Sequence, residues 1–231
     1  MPKTLLITGA NRGISLEMTG QAVAHGDHVI ACTRNAIESY DSEVLAKPND
    51  NITMVSLDVC AEKDMKQIAA SVKCSEDILV CNAGVFNSYG GLQAADHDTA
   101  SIANLLMTNI AGVFFTARSF LPHVLYGTPG KIAIISSEMG SQELADSNAP
   151  IYRASKAAAT NLARSMAVEL APQGVAVGAY HPAGWVSANL GGPQASVSPQ
   201  ESASGLLTRF DALSLAITGI YEDFQGNKLP F

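Results

Sequence analysis

Short apolar runs recur along the chain at intervals that suit alternating strands and helices. Each run is almost wholly apolar instead of alternating with polar residues, which is typical of parallel strands covered on both faces. Six runs predict six strands: Leu5–Thr8, Val29–Thr33, Ile52–Leu57, Ile78–Cys81, Ile132–Ile135 and Val175–Tyr180. Strands that alternate with helical segments favour an α/β fold built on a doubly wound parallel sheet with right-handed crossovers.

Two of the intervening segments carry apolar residues at helical spacing. The first stripe comprises Ile102, Leu105, Leu106, Val113 and Ala117. The second continues the line of Tyr152 and Lys156 through Ala159, Ala163, Met166 and Leu170. Such stripes indicate helices with one side packed against the core.

One stretch interrupts this alternation. Residues 186–199 are rich in Gly, Ser, Pro and Ala, and Ser198-Pro199-Gln200-Glu201 then resembles a capping box with proline in the first helical turn. We expect a helix through Leu206, Leu207, Phe210 and Leu213. Residues 186–215 are therefore a candidate substrate lid, although a plain surface loop explains the composition equally well.

Composition narrows the class of protein. The 231 residues, 47% of them hydrophobic, suit one large domain over residues 1–231 better than two small ones. The net charge of −7, without any basic run, argues against nucleic acids and anionic membranes as partners. The first apolar run is too short for a signal peptide, and we expect no later run to approach the length of a membrane span.

Cysteine and histidine placement predicts no metal site. The cysteines at 32, 60, 74 and 81 lack metal-ligand spacing, which favours reduced thiols in a cytoplasmic protein. The five histidines show no i,i+4 pairing. His97, between two aspartates, is interpreted as part of a solvated helix start.

A glycine-rich turn, Thr-Gly-Ala-Asn-Arg-Gly-Ile, joins the first strand to the first helix. Glycines at this place let the backbone approach a pyrophosphate that rests on the helix N-terminus. An ordinary strand-to-helix turn is the alternative. The candidate cofactor-binding residues of the turn are Gly9, Asn11, Arg12, Gly13 and Ile14.

The end of the second strand bears on which dinucleotide is bound. NAD-binding proteins commonly carry an acidic residue there for the ribose 2′-hydroxyl, whereas this chain has Thr33-Arg34-Asn35. Arg34 could pair with a 2′-phosphate, and Arg12 could add a second positive charge. NADP(H) is therefore the preferred cofactor, ahead of NAD(H).

The third and fourth strands end in further candidate cofactor contacts. Asp58 and Val59 follow the third strand and could meet the adenine. Small residues follow the fourth strand, where the backbone could approach the cofactor; they are Asn82, Ala83 and Gly84.

Tyr152 and Lys156 place a phenol and an ammonium on one helix face, one turn apart. A free tyrosine titrates near pH ~10, so about 4 kcal/mol is needed to bring it to neutrality. A cation about 4 Å away supplies roughly that amount at an effective dielectric near 20. The pair can therefore perform acid/base chemistry in a cleft, although this spacing also arises by chance.

Two further polar positions are candidates. Asn109 interrupts an apolar stripe, so its amide must be satisfied. It is either a bonded core residue or one that bends its helix and holds a water near the cleft. Ser136 and Ser137 end the fifth strand, at the edge where open α/β sheets place ligands.

As an ordered set, these segments resemble the short-chain dehydrogenase/reductase family from Thr4 to the C-terminus. The matching motifs are T-G-x-x-x-G-I from Thr8, N-A-G from Asn82, Asn109, I-S-S-x-x-G from Ile135, Y-x-x-x-K from Tyr152 and P-x-G-W-V from Pro182. The last segment and the ending Gly226 to Phe231 are most similar to the C-factor-like branch.

The resemblance implies a single Rossmann-like domain with a parallel sheet of about seven strands flanked by helices. It also implies a small carbonyl or alcohol substrate, a homodimer or homotetramer, and a role for each matching residue. Tyr152 would be the general acid or base, and Lys156 would lower its pKa and hold the nicotinamide ribose. Ser137 would polarise the substrate carbonyl, and Asn109 would anchor a water in the proton relay. Further cofactor contacts are implied at Pro182, Gly184 and Val186.

Three departures from the family pattern bear on the site. Ser15 occupies the position of the third glycine in the first motif. Ala183 is an additional residue between the proline and glycine of the P-G-W-V segment. The interval from Ser137 to Tyr152 is slightly long. The first departure bears on how the first helix packs against the cofactor, the second on contacts near the nicotinamide, and the third on the wall of the substrate site.

The predicted activity is hydride transfer between NADP(H) and a carbonyl/alcohol pair. A non-catalytic NADP(H)-binding signalling or sensor protein of C-factor type is the alternative.

Overall fold

The computed structural model describes residues 2–34, 49–72, 77–127, 129–183 and 197–231. Its centre is a parallel sheet of seven strands in the order β3-β2-β1-β4-β5-β6-β7. The strands are β1 Thr4–Thr8, β2 His28–Thr33, β3 Ile52–Ser56, β4 Ile78–Cys81, β5 Lys131–Ile135, β6 Ala176–His181 and β7 Ile220–Asp223. The six predicted strands are confirmed to within a residue or two at their ends.

Helices cover both faces of this sheet. They are α1 Gly13–His25, α2 Glu62–Ser71, α3 Thr99–Leu106, α4 Gly112–Val124, α5 Pro150–Leu170 and α6 Pro199–Ala212. Helices α2, α4 and α5 pack against one face of the sheet, and α1 and α6 pack against the other, so that each face has its own apolar core layer. The predicted doubly wound, single-domain α/β architecture is confirmed.

The seventh strand is the one that the apolar pattern did not locate. It comprises only Ile220–Asp223, ends in two acidic residues and lies at the sheet edge beside β6. A strand of four residues, two of them acidic, has no continuous apolar run, so a search for such runs does not find it.

The continuous helical run Thr99–Val124 is long and apolar enough for a membrane span by length and composition alone. The expectation that no run would approach this length is therefore wrong. Leu105, Val113, Phe120 and Val124 are buried within the domain, as in a core helix. The pattern of the run thus reflects packing against the sheet.

The strand order opens a crevice at the carboxyl edge of the sheet. From β1 the chain continues to β2 and β3 on one side, and it then returns to place β4 on the other side of β1. Loops that leave β1 and β4 diverge there, which is where open α/β sheets bind ligands.

Candidate active site

The ends of β1 and β4 approach each other closely at Gly9. Gly9 has a φ of +70°, and an added Cβ would lie 3.2 Å from the Cα of Ala83, so only glycine suits this position. The Asn82 side-chain amide donates to the Thr8 carbonyl at 2.9 Å. The Thr8 hydroxyl accepts from the backbone N–H groups of Asn82 and Ala83, each at 3.0 Å. Hydrogen bonds thus join two segments that the sequence predicted separately.

Helix α1 directs its N-terminus to the same edge. Gly13 has a φ of +58°, and within the described chain an added Cβ there would meet no atom within 4 Å. Arg12 gives the helix no side-chain cap, and the first turn carries no acidic residue. Asn11 is partly exposed in this turn, whereas Ile14 is buried. The free N–H groups and the helix dipole therefore suit an anion such as a pyrophosphate.

Ser15 is buried behind this turn. Its hydroxyl donates to the Gly9 carbonyl at 2.6 Å and to the Arg12 carbonyl at 3.0 Å. The polar group that replaces the motif glycine is thus satisfied by backbone acceptors inside the turn.

The end of β2 presents positive charge at the surface. The side chains of Arg34 and Arg12 are exposed. The Ser56 hydroxyl donates to the Arg34 carbonyl at 3.1 Å and so holds the arginine backbone. The neighbouring Thr33 hydroxyl is buried and finds no hydrogen-bond partner among the described residues. A ligand with acceptor oxygens would suit this corner of the crevice.

The two candidates after β3 differ in their surroundings. The carboxylate of Asp58 accepts from the Cys60 N–H at 2.9 Å, and its side chain is otherwise exposed. Val59 is buried against helix α4, where an added Cβ on Gly112 would lie 2.8 Å from a Val59 methyl. Asp58 is therefore available at the surface, whereas Val59 mainly fills the core.

Asn109 lies in a π-helical turn, Met107–Ala111, that separates α3 from α4. Its Oδ1 accepts from the Val85 N–H at 2.8 Å, and its Nδ2 donates to the Val85 carbonyl at 2.9 Å. The same amide nitrogen donates to the Ser155 hydroxyl at 3.0 Å. Asn109 is therefore a bonded residue in a locally distorted helix, and its role in holding a water stays a prediction.

Lys156 is buried with its ammonium at the end of β5. Its Nζ donates to the Ile135 carbonyl at 2.9 Å and lies 5.6 Å from the centre of the Tyr152 ring. An added Cβ on Gly84 would lie 3.6 Å from Nζ, so the N-A-G segment borders the same space. Burial lowers the pKa of Lys156 to about 8.

Gly140 and Ser136 set how closely α5 packs on β5. An added Cβ on Gly140 would lie 2.8 Å from the carbonyl carbon of Lys156. The Ser136 hydroxyl lies 2.7 Å from that of Thr160 and donates to the Lys156 carbonyl at 3.0 Å. Ser136 is thus a packing residue, and it leaves Ser137 as the hydroxyl of the crevice.

The Ser137 side chain lies close enough to the Tyr152 phenol to interact with it. Burial raises the pKa of the Tyr152 phenol well above its ordinary value, Tyr89 raises it further, and the nearby Ser137 side chain opposes this rise. The lowering of this pKa by Lys156 that the resemblance implies stays a prediction, since burial outweighs the neighbouring groups in the chain by itself. The phenol therefore remains protonated at neutral pH and can donate a proton.

Two aromatic residues form a wall beside this pair. The ring centre of Phe86 lies 4.9 Å from that of Tyr152, edge to face, and 4.4 Å from that of Tyr89. The Ala149 N–H donates to the carbonyls of Tyr89 and Gly90 at 3.3 and 3.2 Å. These bonds attach the loop after β4 to the start of α5.

His97 contributes to this loop, contrary to the interpretation as a solvated residue. Its Nε2 lies 3.1 Å from the Gly90 carbonyl, and its Nδ1 lies 3.3 Å from the Asn87 amide nitrogen. Asp98 does begin α3, because its carboxylate accepts from the Ser101 N–H at 2.7 Å. The helix start was predicted correctly, and the role of the histidine was not.

The segment after β6 is described only in part. The Pro182 carbonyl accepts a hydrogen bond from the Ser202 hydroxyl of α6. Ala183 has a φ of +66°, in the left-handed region that favours glycine. Gly184, Val186 and residues 186–196 of the predicted lid lie outside the described residues. The remainder of that lid includes α6, which packs on the core.

Sequence reasoning missed three residues beside Ser137. The Tyr221 hydroxyl donates to the Ser137 carbonyl, but Tyr221 lies in the strand that the pattern did not locate. His181 ends β6, and its Nε2 lies 3.7 Å from the carboxylate of Glu138. Their proximity depends on the pairing of distant strands. A histidine directly before the P-x-G-W-V segment was the one signal available.

Comparison with known proteins identifies a family model and several relatives that match this chain. A family model for the short chain dehydrogenase matches residues 3–194. The C-signal protein of Myxococcus xanthus is 35% identical over 156 residues, which cover 67% of this chain and 92% of the relative. The oxidoreductase UcpA of Escherichia coli K12 is 32% identical over 213 residues, covering 89% and 78%.

Solved structures show the same fold over the whole chain. The carbonyl reductase Sniffer of Drosophila melanogaster superposes with a TM-score of 0.90 at 23% identity, covering 100% of both chains. A putative short-chain dehydrogenase/reductase from Burkholderia multivorans, with bound NADP, has a TM-score of 0.87 at 27% identity, also covering 100% of both. Since the family model matches most of the sequence, and relatives that are 35% and 32% identical cover 67% and 89% of it, this chain is an oxidoreductase of the short-chain dehydrogenase/reductase family, similar to its C-factor branch.

Proposed function

We propose that the protein is an NADP(H)-dependent oxidoreductase that interconverts a carbonyl and an alcohol. The observation that carries this proposal is the position of the Tyr152 and Ser137 side chains, which interact beside the buried Lys156 ammonium. Two hydroxyls that converge on one point can bind one carbonyl oxygen.

Each residue of the site would have its own role in this reaction. Bound nicotinamide supplies or accepts the hydride. Ser137 donates a hydrogen bond that polarises the substrate carbonyl, and Tyr152 delivers a proton to its oxygen in the reducing direction. Lys156 holds positive charge near the nicotinamide ribose, and Asn109 anchors the loop of Val85 through paired hydrogen bonds. Asn109 thereby acts on the position of the N-A-G segment in addition to its proposed role in a water relay.

The residues present fit a dinucleotide. Gly13 leaves space for a phosphate beside the α1 N-terminus, and Gly9 lets the ends of β1 and β4 approach each other there. Gly84 borders Lys156, and Asp58, Asn82 and Ala83 are proposed as further contacts of the cofactor. Pro182, Gly184 and Val186 are proposed contacts near the nicotinamide. Preference for NADP(H) over NAD(H) follows from the exposed Arg34 and Arg12 and is supported by the NADP-bound relative.

The wall of Phe86 and Tyr89 favours a substrate that carries an aromatic or flat apolar group next to its carbonyl. Aromatic rings pair at centroid separations of about 4.5–7 Å, and the edge of Phe86 already meets Tyr152 within that range. A homodimer or homotetramer and a cytoplasmic location remain predictions.

The first experiment measures NADPH consumption against aldehydes, ketones and quinones, with aliphatic and aromatic members matched in size. Aromatic members should be turned over faster. Tyr152→Phe should abolish turnover while NADPH binding persists, because only the proton donor is removed. Tyr126→Phe is the matched control, since that ring is 79% exposed at the end of α4. Turnover by Tyr152→Phe at the wild-type rate would refute the mechanism.

A second experiment tests the cofactor preference. NADPH should bind more tightly than NADH, and Arg34→Ala should remove roughly ten- to a hundredfold of NADPH affinity, the worth of one or two charge-assisted hydrogen bonds. Lys63→Ala removes the same charge from an exposed position of α2 and should leave the ratio unchanged. Equal affinities of the wild type for both cofactors would contradict the assignment.

The alternative function is that of a non-catalytic NADP(H)-binding signalling protein, which the similarity to C-signal favours. It predicts NADPH binding without turnover of any member of the panel. The complete set of Tyr152, Lys156, Ser137 and Asn109 supports the enzyme, because a sensor needs no proton donor.

A further inference from the structure

His181 and Glu138 form a titratable pair next to Ser137 that the proposed reaction leaves unused. His181 is 9% exposed, and its Nδ1 has no hydrogen-bond partner among the described residues. Its Nε2 lies 3.7 Å from Oε1 of Glu138. This separation is too long for a hydrogen bond and short enough for charge attraction. A buried imidazole with an unpaired nitrogen is uncommon and calls for an explanation.

Charged groups face His181 from three neighbouring elements. Glu138 lies in the turn after β5, Asp223 stands opposite His181 in the β6–β7 register, and Lys156 lies on α5. Burial lowers the pKa of His181, Lys156 lowers it further, and the two carboxylates oppose both effects. His181 is therefore neutral at neutral pH and takes up a proton only at lower pH.

Among these groups, Glu138 is the one that can respond to a charge on His181. The Asp223 carboxylate already accepts from the N–H groups of Gln225 and Asn227, each at 2.9 Å. The Lys156 ammonium donates to a backbone carbonyl. The Glu138 side chain is 57% exposed. Protonation of His181 would therefore draw the Glu138 carboxylate inward to form a charge-assisted hydrogen bond.

Movement of Glu138 would be transmitted to Ser137, its neighbour in the chain. Glu138–Gly140 is a single 3₁₀ turn, and the Ser137 hydroxyl accepts from the Met139 N–H at 3.2 Å. A displacement of about 1 Å in an active site can cost about a hundredfold in rate. We propose that His181 is a positioning residue for Ser137. Protonation of His181 draws in Glu138, moves the Ser137 hydroxyl away from Tyr152 and reduces turnover at acid pH.

This inference rests on the proposed function, and kcat as a function of pH tests it. In the wild type, kcat should fall by about tenfold or more between neutral pH and about pH 5. His181→Asn and Glu138→Gln should both be active at neutral pH and should both lack this fall. Glu138→Gln changes an exposed side chain, so it tests the proposal even if His181→Asn fails to fold.

Glu143→Gln is the matched control, because it removes a carboxylate from an exposed position of the same loop. It should retain the wild-type pH profile. An acid fall of unchanged size and midpoint in Glu138→Gln would overturn the proposal.

A second measurement needs no substrate. In isotope-labelled protein, the Met139 amide resonance should titrate with the same midpoint as the His181 imidazole, and this coupling should vanish in Glu138→Gln. If the coupling is present but no substrate is reduced, the proposed function is wrong and the effect of His181 on the Glu138 turn is supported. If substrates are reduced but the Met139 amide does not titrate with the His181 imidazole, the proposed role of His181 is wrong and the proposed function is retained.

Discussion

At the scale of single residues, Ser15 shows how a hydroxyl can occupy a glycine position of the dinucleotide motif. Its hydrogen bonds to the Gly9 and Arg12 carbonyls tie the turn to the first turn of α1. A hydroxyl at a buried position must find a hydrogen-bond partner or reduce stability, and here it bonds to the backbone. Ser15 thus stabilises a turn that glycine would leave more flexible.

Ser15→Ala should lower the free energy of unfolding by about 1–2 kcal/mol, because two backbone acceptors lose their donor. Urea unfolding measures this loss. Thr208→Ala, which removes an exposed hydroxyl bonded within α6, should change it by less than about 0.5 kcal/mol. Ser15→Leu should also cripple NADPH binding, as a fluorescence titration would show. Wild-type affinity in that variant would mean that the turn does not approach the cofactor.

Lys156 predicts how stability changes with pH. Its pKa is lowered from 10.5 in the unfolded chain to about 8 in the folded protein, so the unfolded state binds the extra proton between these values. The free energy of unfolding should therefore rise with pH across this window, by up to about 3 kcal/mol. Below about pH 8 the cost of burying the charge is present in full.

The measurement compares urea unfolding of the wild type and Lys156→Met from pH 7.5 to 10.5. The variant cancels the titration of the tyrosines, which both proteins share. The wild type should gain stability relative to Lys156→Met as the pH rises. A difference that stays constant with pH would show that the folded-state pKa of Lys156 is not lowered.

At the scale of helices and strands, the sequence predicted the N-cap of α6 but did not predict the π-helical turn between α3 and α4. Ser198 caps α6 as predicted, since its hydroxyl accepts from the Glu201 N–H at 3.1 Å. The apolar stripe from Ile102 to Ala117 predicted one helix. The structure inserts the π-helical turn Met107–Ala111, which gives Asn109 the bonds to Val85 and Ser155. Those acceptors come from other parts of the chain, so the stripe carried no sign of them.

Ser198→Ala should destabilise α6 by about 1 kcal/mol, because one N–H of the first turn loses its acceptor. Hydrogen exchange of the α6 amides, or the free energy of unfolding, would detect the loss. Ser204→Ala is the matched control, at an exposed position within the same helix, and should be neutral within about 0.5 kcal/mol. Equal effects of the two substitutions would argue that the cap contributes nothing.

At the scale of the whole molecule, the helices α4 and α5 present apolar side chains to the surface. Phe114 on α4 is 40% exposed and Val168 on α5 is 80% exposed. The resemblance predicted a homodimer or homotetramer through the helices that carry Asn109 and Tyr152. An exposed apolar face on this pair of helices is consistent with such an interface.

Val168→Asp should therefore reduce the molecular mass measured by light scattering to that of the 24.1 kDa chain, because it places a charge in an apolar interface. Leu92→Asp, at a side chain 93% exposed in the loop after β4, should leave the assembly intact. A wild-type mass equal to that of one chain would remove the proposed oligomer.

The sequence alone located six of the seven strands of the sheet, the buried faces of the main helices and the order of the site motifs. Apolar runs and helical stripes arise from burial, which acts along the chain at the fixed periods of strands and helices. Gly9, Ser137, Tyr152 and Lys156 were identified because backbone approach and acid/base chemistry restrict the residue types at those positions. The parallel sheet and its ligand-binding edge followed from the same pattern.

Tertiary structure alone decided which distant groups meet and what their electrostatic surroundings are. The rise in the pKa of Tyr152 comes from burial beside Tyr89, and the pairing of His181 with Glu138 requires β5 and β6 to lie side by side. Desolvation and charge attraction depend on distances in space, which spacing along a chain does not specify. The candidate residues of the site were therefore predicted from the sequence, whereas their electrostatic surroundings and supporting contacts required the folded chain.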